Sequence, residues 1–209
     1  MSAASLFYFQ DRRDIFAAAV DRLADRPFAN PEFFTAKEIA TLKVAALALP
    51  FRKASPKVGN NVHQDFEICF PAPMEGVFAQ LARGLEGLAA SMQAAHQQLF
   101  ESPVLINDFA VQRYAPASAG IGIHKDALGY RNLVFIITLA GSSELFTCLE
   151  RDGTGRQLIE DKPGRLVVLP APGLAYLPDP ARRPLHGVDN IKDGRLSIGF
   201  RCQKVQLQQ

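Results

Sequence analysis

The chain has 209 residues, 48% of them hydrophobic and 21% charged, with a formal net charge of +2. That balance, with no low-complexity run or internal repeat, suits a single domain spanning residues 1–209 with a substantial core. The small net charge argues against tight non-specific nucleic-acid binding. Cys69, Cys148 and Cys202 are odd in number and scattered. They suit a reducing cytoplasm and neither a disulfide framework nor a zinc cluster. The start, Met1 to Gln10, lacks a basic segment and a long apolar core, so it does not read as a signal peptide. No stretch reaches membrane-spanning length without a charge.

In residues 11–25, Ile15, Phe16, Ala19, Val20 and Leu23 recur at helical spacing. Thr35 followed by Glu38 is a capping box, and it predicts a second helix running to about Leu49, before Pro50. These two helices, within residues 1–50, are supports to be packed on a sheet. Residues 51–73 are polar, basic and rich in turn formers, and they lead into an expected strand from Asp65 to Phe70. The segment reads as a lid or recognition loop over the mouth of a site, where Phe51 and Arg52 are candidate substrate contacts. His63 within it reads as exposed. Residues 75–99 form the longest helical pattern, with Val77, Phe78, Leu81, Leu85, Leu88, Met92 and Leu99 on one stripe. His96, near its end, reads as structural.

After Ser102-Pro103 the chain turns to strands. Val104 to Tyr114, Gly120 to His124, Leu133 to Leu139 and Glu144 to Leu149 are rich in β-branched and aromatic residues. Asp152-Gly153-Thr154-Gly155 is a turn signal. Arg165 to Leu169 and two last strands carrying His186 and Arg195 follow. Helices first and many short strands afterwards fit an α+β fold with a double-stranded β-helix, or jelly-roll, core over residues 104–203.

The chemistry concentrates in three places. His124 and Asp126 are two residues apart at the end of an apolar run, so in an extended segment their side chains share a face. His186 lies in Arg183-Pro184-Leu185-His186-Gly187-Val188. Two histidines and a carboxylate can hold one face of an octahedral metal and leave the other positions open. On the closing strand, Arg195, Ser197, Gly199 and Arg201 lie on one face, and Leu196, Ile198, Phe200 and Cys202 on the other. A guanidinium suits bidentate capture of a carboxylate, and a neighbouring hydroxyl can add a hydrogen bond.

His124-x-Asp126, then His186, then Arg195-x-Ser197 resembles the iron(II)/2-oxoglutarate-dependent oxygenase superfamily. Leu105-Ile106-Asn107, Arg113-Tyr114-Ala115-Pro116 and the interval from Arg195 to Arg201 fall in the order of its AlkB-like branch. The resemblance covers roughly Pro73 to Cys202. Gln112 stands where that branch usually has asparagine, and Ser197 and Gly199 replace its middle polar pair.

The resemblance implies that His124, Asp126 and His186 bind Fe(II). It also implies that Arg195 and Ser197 hold the distal carboxylate of 2-oxoglutarate, with Tyr114 contacting the co-substrate and Gln112 in place of the asparagine; strand spacing lets Arg201 reach its metal-proximal end. O2 is then the second co-substrate, and succinate and CO2 are released. Tyr130 and Arg183 join Phe51 and Arg52 as candidate substrate contacts. Hydroxylation of a small organic molecule is the first reading. The alternatives are AlkB-like oxidative dealkylation of a methylated nucleobase, with nucleic acid as partner, and a non-catalytic cupin-like metal-binding protein.

Overall fold

The computed structural model describes residues 6–59 and 62–204. The first residues of the N-terminal stretch discussed above, 1–5, lie outside them. The helical spacing at the start becomes α1 (Arg13–Asp21), flanked by short 3-10 turns. The capping box closes as expected and opens α2 (Ala36–Leu47). The Glu38 amide donates to Thr35 Oγ1 at 3.3 Å and the Thr35 amide donates to Glu38 Oε2 at 2.7 Å. Arg12 donates to both oxygens of the buried Glu38 at 2.8 Å, which ties the first turn of the chain to α2. The long amphipathic pattern forms α3 (Gly76–Ala95) and ends at His96.

Residues 51–73 are not an irregular loop. They form four short strands: β1 (Arg52–Lys53), β2 (Lys57–Val58), β3 (Val62–Asp65) and β4 (Glu67–Cys69). The expected strand from Asp65 to Phe70 breaks at Phe66, whose ring turns inward against Tyr114 at 4.9 Å between centroids. The break sends β3 and β4 to different sheets.

The remaining strands are β5 (Asp108–Tyr114), β6 (Gly120–His124), β7 (Tyr130–Gly141), β8 (Glu144–Cys148), β9 (Gln157–Ile159), β10 (Val167–Pro170), β11 (Leu185–Asp189) and β12 (Arg195–Gln203). β5 begins later than the apolar run suggests. Val104 and Ile106 are buried, but the Ile106 amide donates to Glu86 Oε1 of α3 at 2.7 Å instead of joining a ladder. Two antiparallel sheets result, ordered β1-β4-β5-β12-β7-β10 and β2-β3-β6-β11-β8-β9. This is a double-stranded β-helix with supporting helices, as the pattern of elements predicts.

The two-residue period decides which side chains face which layer. On β7, Leu133, Phe135, Ile137 and Leu139 join the main core with residues of all three helices, while Val134 and Ile136 turn inward between the sheets. On β12, Leu196, Ile198, Phe200 and Cys202 join the same main core. Arg195, Ser197, Gly199 and Arg201 therefore face the interior, not solvent, and Arg195 is only 3% exposed. Gly120 permits the entry to β6. It has φ +79°, and a Cβ there would sit 1.8 Å from the Val188 carbonyl oxygen of the neighbouring strand. A side chain at that point would push β6 off β11 and displace His124.

Candidate active site

His124 and His186 are about sixty residues apart, and the sheet register makes them direct partners across β6 and β11. Their ring centroids lie 4.3 Å apart. Asp126 follows just past the end of β6, with its Oδ2 3.8 Å from His186 Nε2. One ligand atom from each of the three lies within 4.8 Å of the others.

Two carbonyls set the ring orientations: His124 Nδ1 faces Gly122 O at 2.8 Å and His186 Nδ1 faces Pro184 O at 3.2 Å. A proton on each Nδ1 makes these hydrogen bonds and leaves each Nε2 lone pair free, the arrangement that second-shell carbonyls give metal-binding histidines. Burial, together with the facing His186, pushes the His124 imidazole down to about 4. It is neutral at physiological pH, as a ligand must be. A metal ion fits this donor set.

The three side chains lie on the wall of a cavity of about 630 Å³. Its other wall comes from the first sheet, where Arg195, Gly199 and Arg201 of β12 stand beside Ala110, Gln112 and Tyr114 of β5. Arg195 is held on several sides. Its Nη1 donates to Ser197 Oγ at 2.6 Å and its Nη2 donates to Thr138 Oγ1 at 3.1 Å and to Asp161 Oδ2 at 2.9 Å. Thr138 in turn donates to Asp161 Oδ2 at 2.9 Å. Burial pushes the Tyr114 phenol up to about 12 against the lowering influence of Arg195, so its hydroxyl keeps its proton. Tyr114 and Gln112 share a hydrogen bond of 3.3 Å.

Arg201 forms an ion pair with Asp108 at 3.0 Å and lies over the Tyr130 ring at 5.4 Å. Its buried Nε has no partner among the described residues. Gly199 makes room for this guanidinium, since a Cβ at that position would approach Arg201 Nη2 at 3.2 Å.

Arg52, Tyr130 and Arg183 also line the cavity. One expectation needs correction. Phe51 is not among the lining residues; its ring packs on the main core with Arg113 4.2 Å above its centroid. Ser197 is buried and is not among the lining residues; its hydroxyl accepts from Arg195, and its own proton remains free.

Asp161, Thr138 and Asp108 were not expected as site residues. Thr138 carries a sequence signal, being a lone hydroxyl inside the apolar run Leu133–Leu139. Asp161 lies outside any strand and carries none.

No protein-family model and no curated protein matches the sequence. Solved structures do match the fold. A prolyl-4-hydroxylase from Pseudomonas putida superposes with a TM-score of 0.66 at 17% identity, covering 91% of this chain and 100% of that one. A prolyl hydroxylase from Trichoplax adhaerens, in complex with a hypoxia inducible factor peptide fragment, gives 0.64 at 14%, covering 96% of both chains. HygX from Streptomyces hygroscopicus, with nickel and 2-oxoglutarate bound, gives 0.59 at 12%, covering 88% of this chain and 85% of that one. At these identities the likeness establishes the double-stranded β-helix fold. The site's chemistry has to be argued from its own residues.

Proposed function

We propose that the chain is an iron(II)- and 2-oxoglutarate-dependent dioxygenase that hydroxylates a C–H bond of a small organic substrate. The observation that carries this reading is the meeting of His124, Asp126 and His186 on the wall of a cavity that Arg195, Arg201 and Tyr114 also line. Iron(II), when bound by those three residues, would supply oxidation of a C–H bond by O2 with conversion of 2-oxoglutarate to succinate and CO2.

The chain's own residues do the rest. The Arg195 guanidinium, fixed by Asp161, Thr138 and Ser197, offers a preorganised N–H donor to the distal carboxylate. Tyr114, protonated, donates to Gln112 Oε1, and turning that single proton to the distal carboxylate would give the carboxylate a second donor. The Arg201 guanidinium, on the same lining as His124 and His186, is a further donor, and its Nε is unpartnered among the described residues. Val134, Ile136, Leu145 and Val188 keep the walls between these groups apolar and exclude water. Tyr130, Arg52 and Arg183 are the proposed contacts to substrate.

The AlkB-like order of motifs supports a second reading, oxidative dealkylation of a methylated nucleobase. Arg52 and the half-exposed ring of Phe70 at the cavity favour it, because a base held outside its stack needs a cation and an aromatic face. The cytoplasm is proposed as the place of work on three unpaired, buried thiols. No helix among the described residues is long and apolar enough to cross a membrane.

The test is iron-dependent and O2-dependent formation of succinate from 2-oxoglutarate. We expect slow turnover without substrate and a several-fold rise with the right substrate class. A folded, iron-loaded protein that forms no succinate under any of these conditions would leave only a cupin-like binding protein.

A further inference from the structure

The charge along the cavity is one-sided. Arg52, Lys125, Arg151 and Arg183 all line it, and Arg52 and Arg151 are exposed at its mouth. Among the described residues the lining contains one carboxylate, Asp126, which the oxygenase reading commits to the metal. The inner arginines leave this balance unchanged, since Asp161 compensates Arg195 and Asp108 compensates Arg201.

Asp65, Glu67, Glu150 and Asp152 lie close in sequence to lining residues but are not on the lining themselves. Asp65 accepts from the Ala119 amide at 2.7 Å, Glu67 is paired with Arg113 at 2.8 Å, and Asp152 accepts from the Thr154 amide at 2.9 Å. Two of the cations are positioned without being neutralised. Lys125 donates to the Ala181 carbonyl, and Arg183 donates to the carbonyls of Pro180 and Asp126. A carbonyl fixes a cation in place but carries no net charge to cancel it. Phe66, Ile68 and Phe70 supply apolar wall along the same lining. A cleft of one sign with low-dielectric walls concentrates counter-ions at its mouth.

We infer that the primary substrate is a small organic anion, a carboxylate or phosphate on an apolar body, held at its charged end by the exposed lining arginines, Arg52 and Arg151. The inference rests on the oxygenase reading for what happens to this ligand, but its binding can be tested apart from that reading.

The experiment compares two fluorescent probes that differ by one sulfonate, 1-anilinonaphthalene-8-sulfonate and the neutral N-phenyl-1-naphthylamine, on the full chain without 2-oxoglutarate. The sulfonate is expected to bind about tenfold or more tighter at low salt. The preference should shrink as salt rises from 50 to 500 mM and vanish in the Arg52→Glu/Arg151→Glu variant. Both positions are exposed, so the variant should fold. Displacement by octanoate against octyl phosphate then separates the two anion classes.

Equal affinity for the probes would overturn the inference, and so would a preference that survives the double reversal. Displacement by micromolar methylated single-stranded DNA with a steep salt dependence would also overturn it, in favour of a polyanion. Anaerobic loading with iron(II) and 2-oxoglutarate reports the oxygenase reading separately. A sulfonate preference in a protein that forms no such complex would support the anion site and remove the reaction.

Discussion

Replacing Arg195 by alanine is expected to raise the 2-oxoglutarate concentration needed for half-maximal succinate formation by at least about thirtyfold. A charge-assisted pair to a carboxylate in a dry site accounts for that size, with loss of one partner costing about 2–5 kcal/mol. The same substitution leaves Asp161 buried without its cation, and we expect about 3–5 kcal/mol less stability. The two effects separate in the Arg195→Ala/Asp161→Asn variant. Removing the stranded carboxylate should restore most of the stability while leaving the 2-oxoglutarate requirement high. Denaturant unfolding and steady-state kinetics on the same preparations measure both. A double variant that regained its affinity would reduce Arg195 to a structural role. A single variant with unchanged affinity would pass the co-substrate role to another cation, Arg201 first.

His186→Ala should abolish metal binding. Loss of a mere second-shell partner typically costs roughly 10–100-fold in metal affinity, and loss of a ligand should cost more. In the native protein, a metal ion at a hundred times its dissociation constant should add about 2.7 kcal/mol to the unfolding free energy. That increment should disappear in the variant, read by thermal unfolding with and without cobalt(II) or iron(II). A variant with its increment intact would show that the metal binds elsewhere.

The fold was legible where side-chain period and layer agree. The alternation on β12 separates Leu196, Ile198, Phe200 and Cys202 from Arg195, Ser197, Gly199 and Arg201, and the structure places the first set in the core and the second facing inward. The capping box at Thr35 was equally readable, because it is a contact between near neighbours. The proximity of His124 to Asp126 was readable for the same reason.

What the sequence withheld was long-range register. Nothing local places His186 opposite His124, and only the pairing of β6 with β11 does so. Asp161 was invisible because a carboxylate beside a Pro-Gly turn ordinarily faces water, and its burial follows from where Arg195 happens to point. Residues 51–73 resembled a loop because their strands are two to four residues long, too short to set up a period. Phe51 was assigned to the mouth on its place in that segment, whereas its ring found the core and Arg113. Ser197 was placed on the co-substrate; its hydroxyl accepts from Arg195, which leaves its own proton free to donate.

The central claim is that His124, Asp126 and His186 hold iron(II) in a cavity that also takes 2-oxoglutarate. Anaerobic absorption spectroscopy of the protein with both added tests it most directly. The account predicts a weak visible charge-transfer band that needs both components and is lost in His186→Ala. A folded native protein with no band, or a band that persists in that variant, would contradict it.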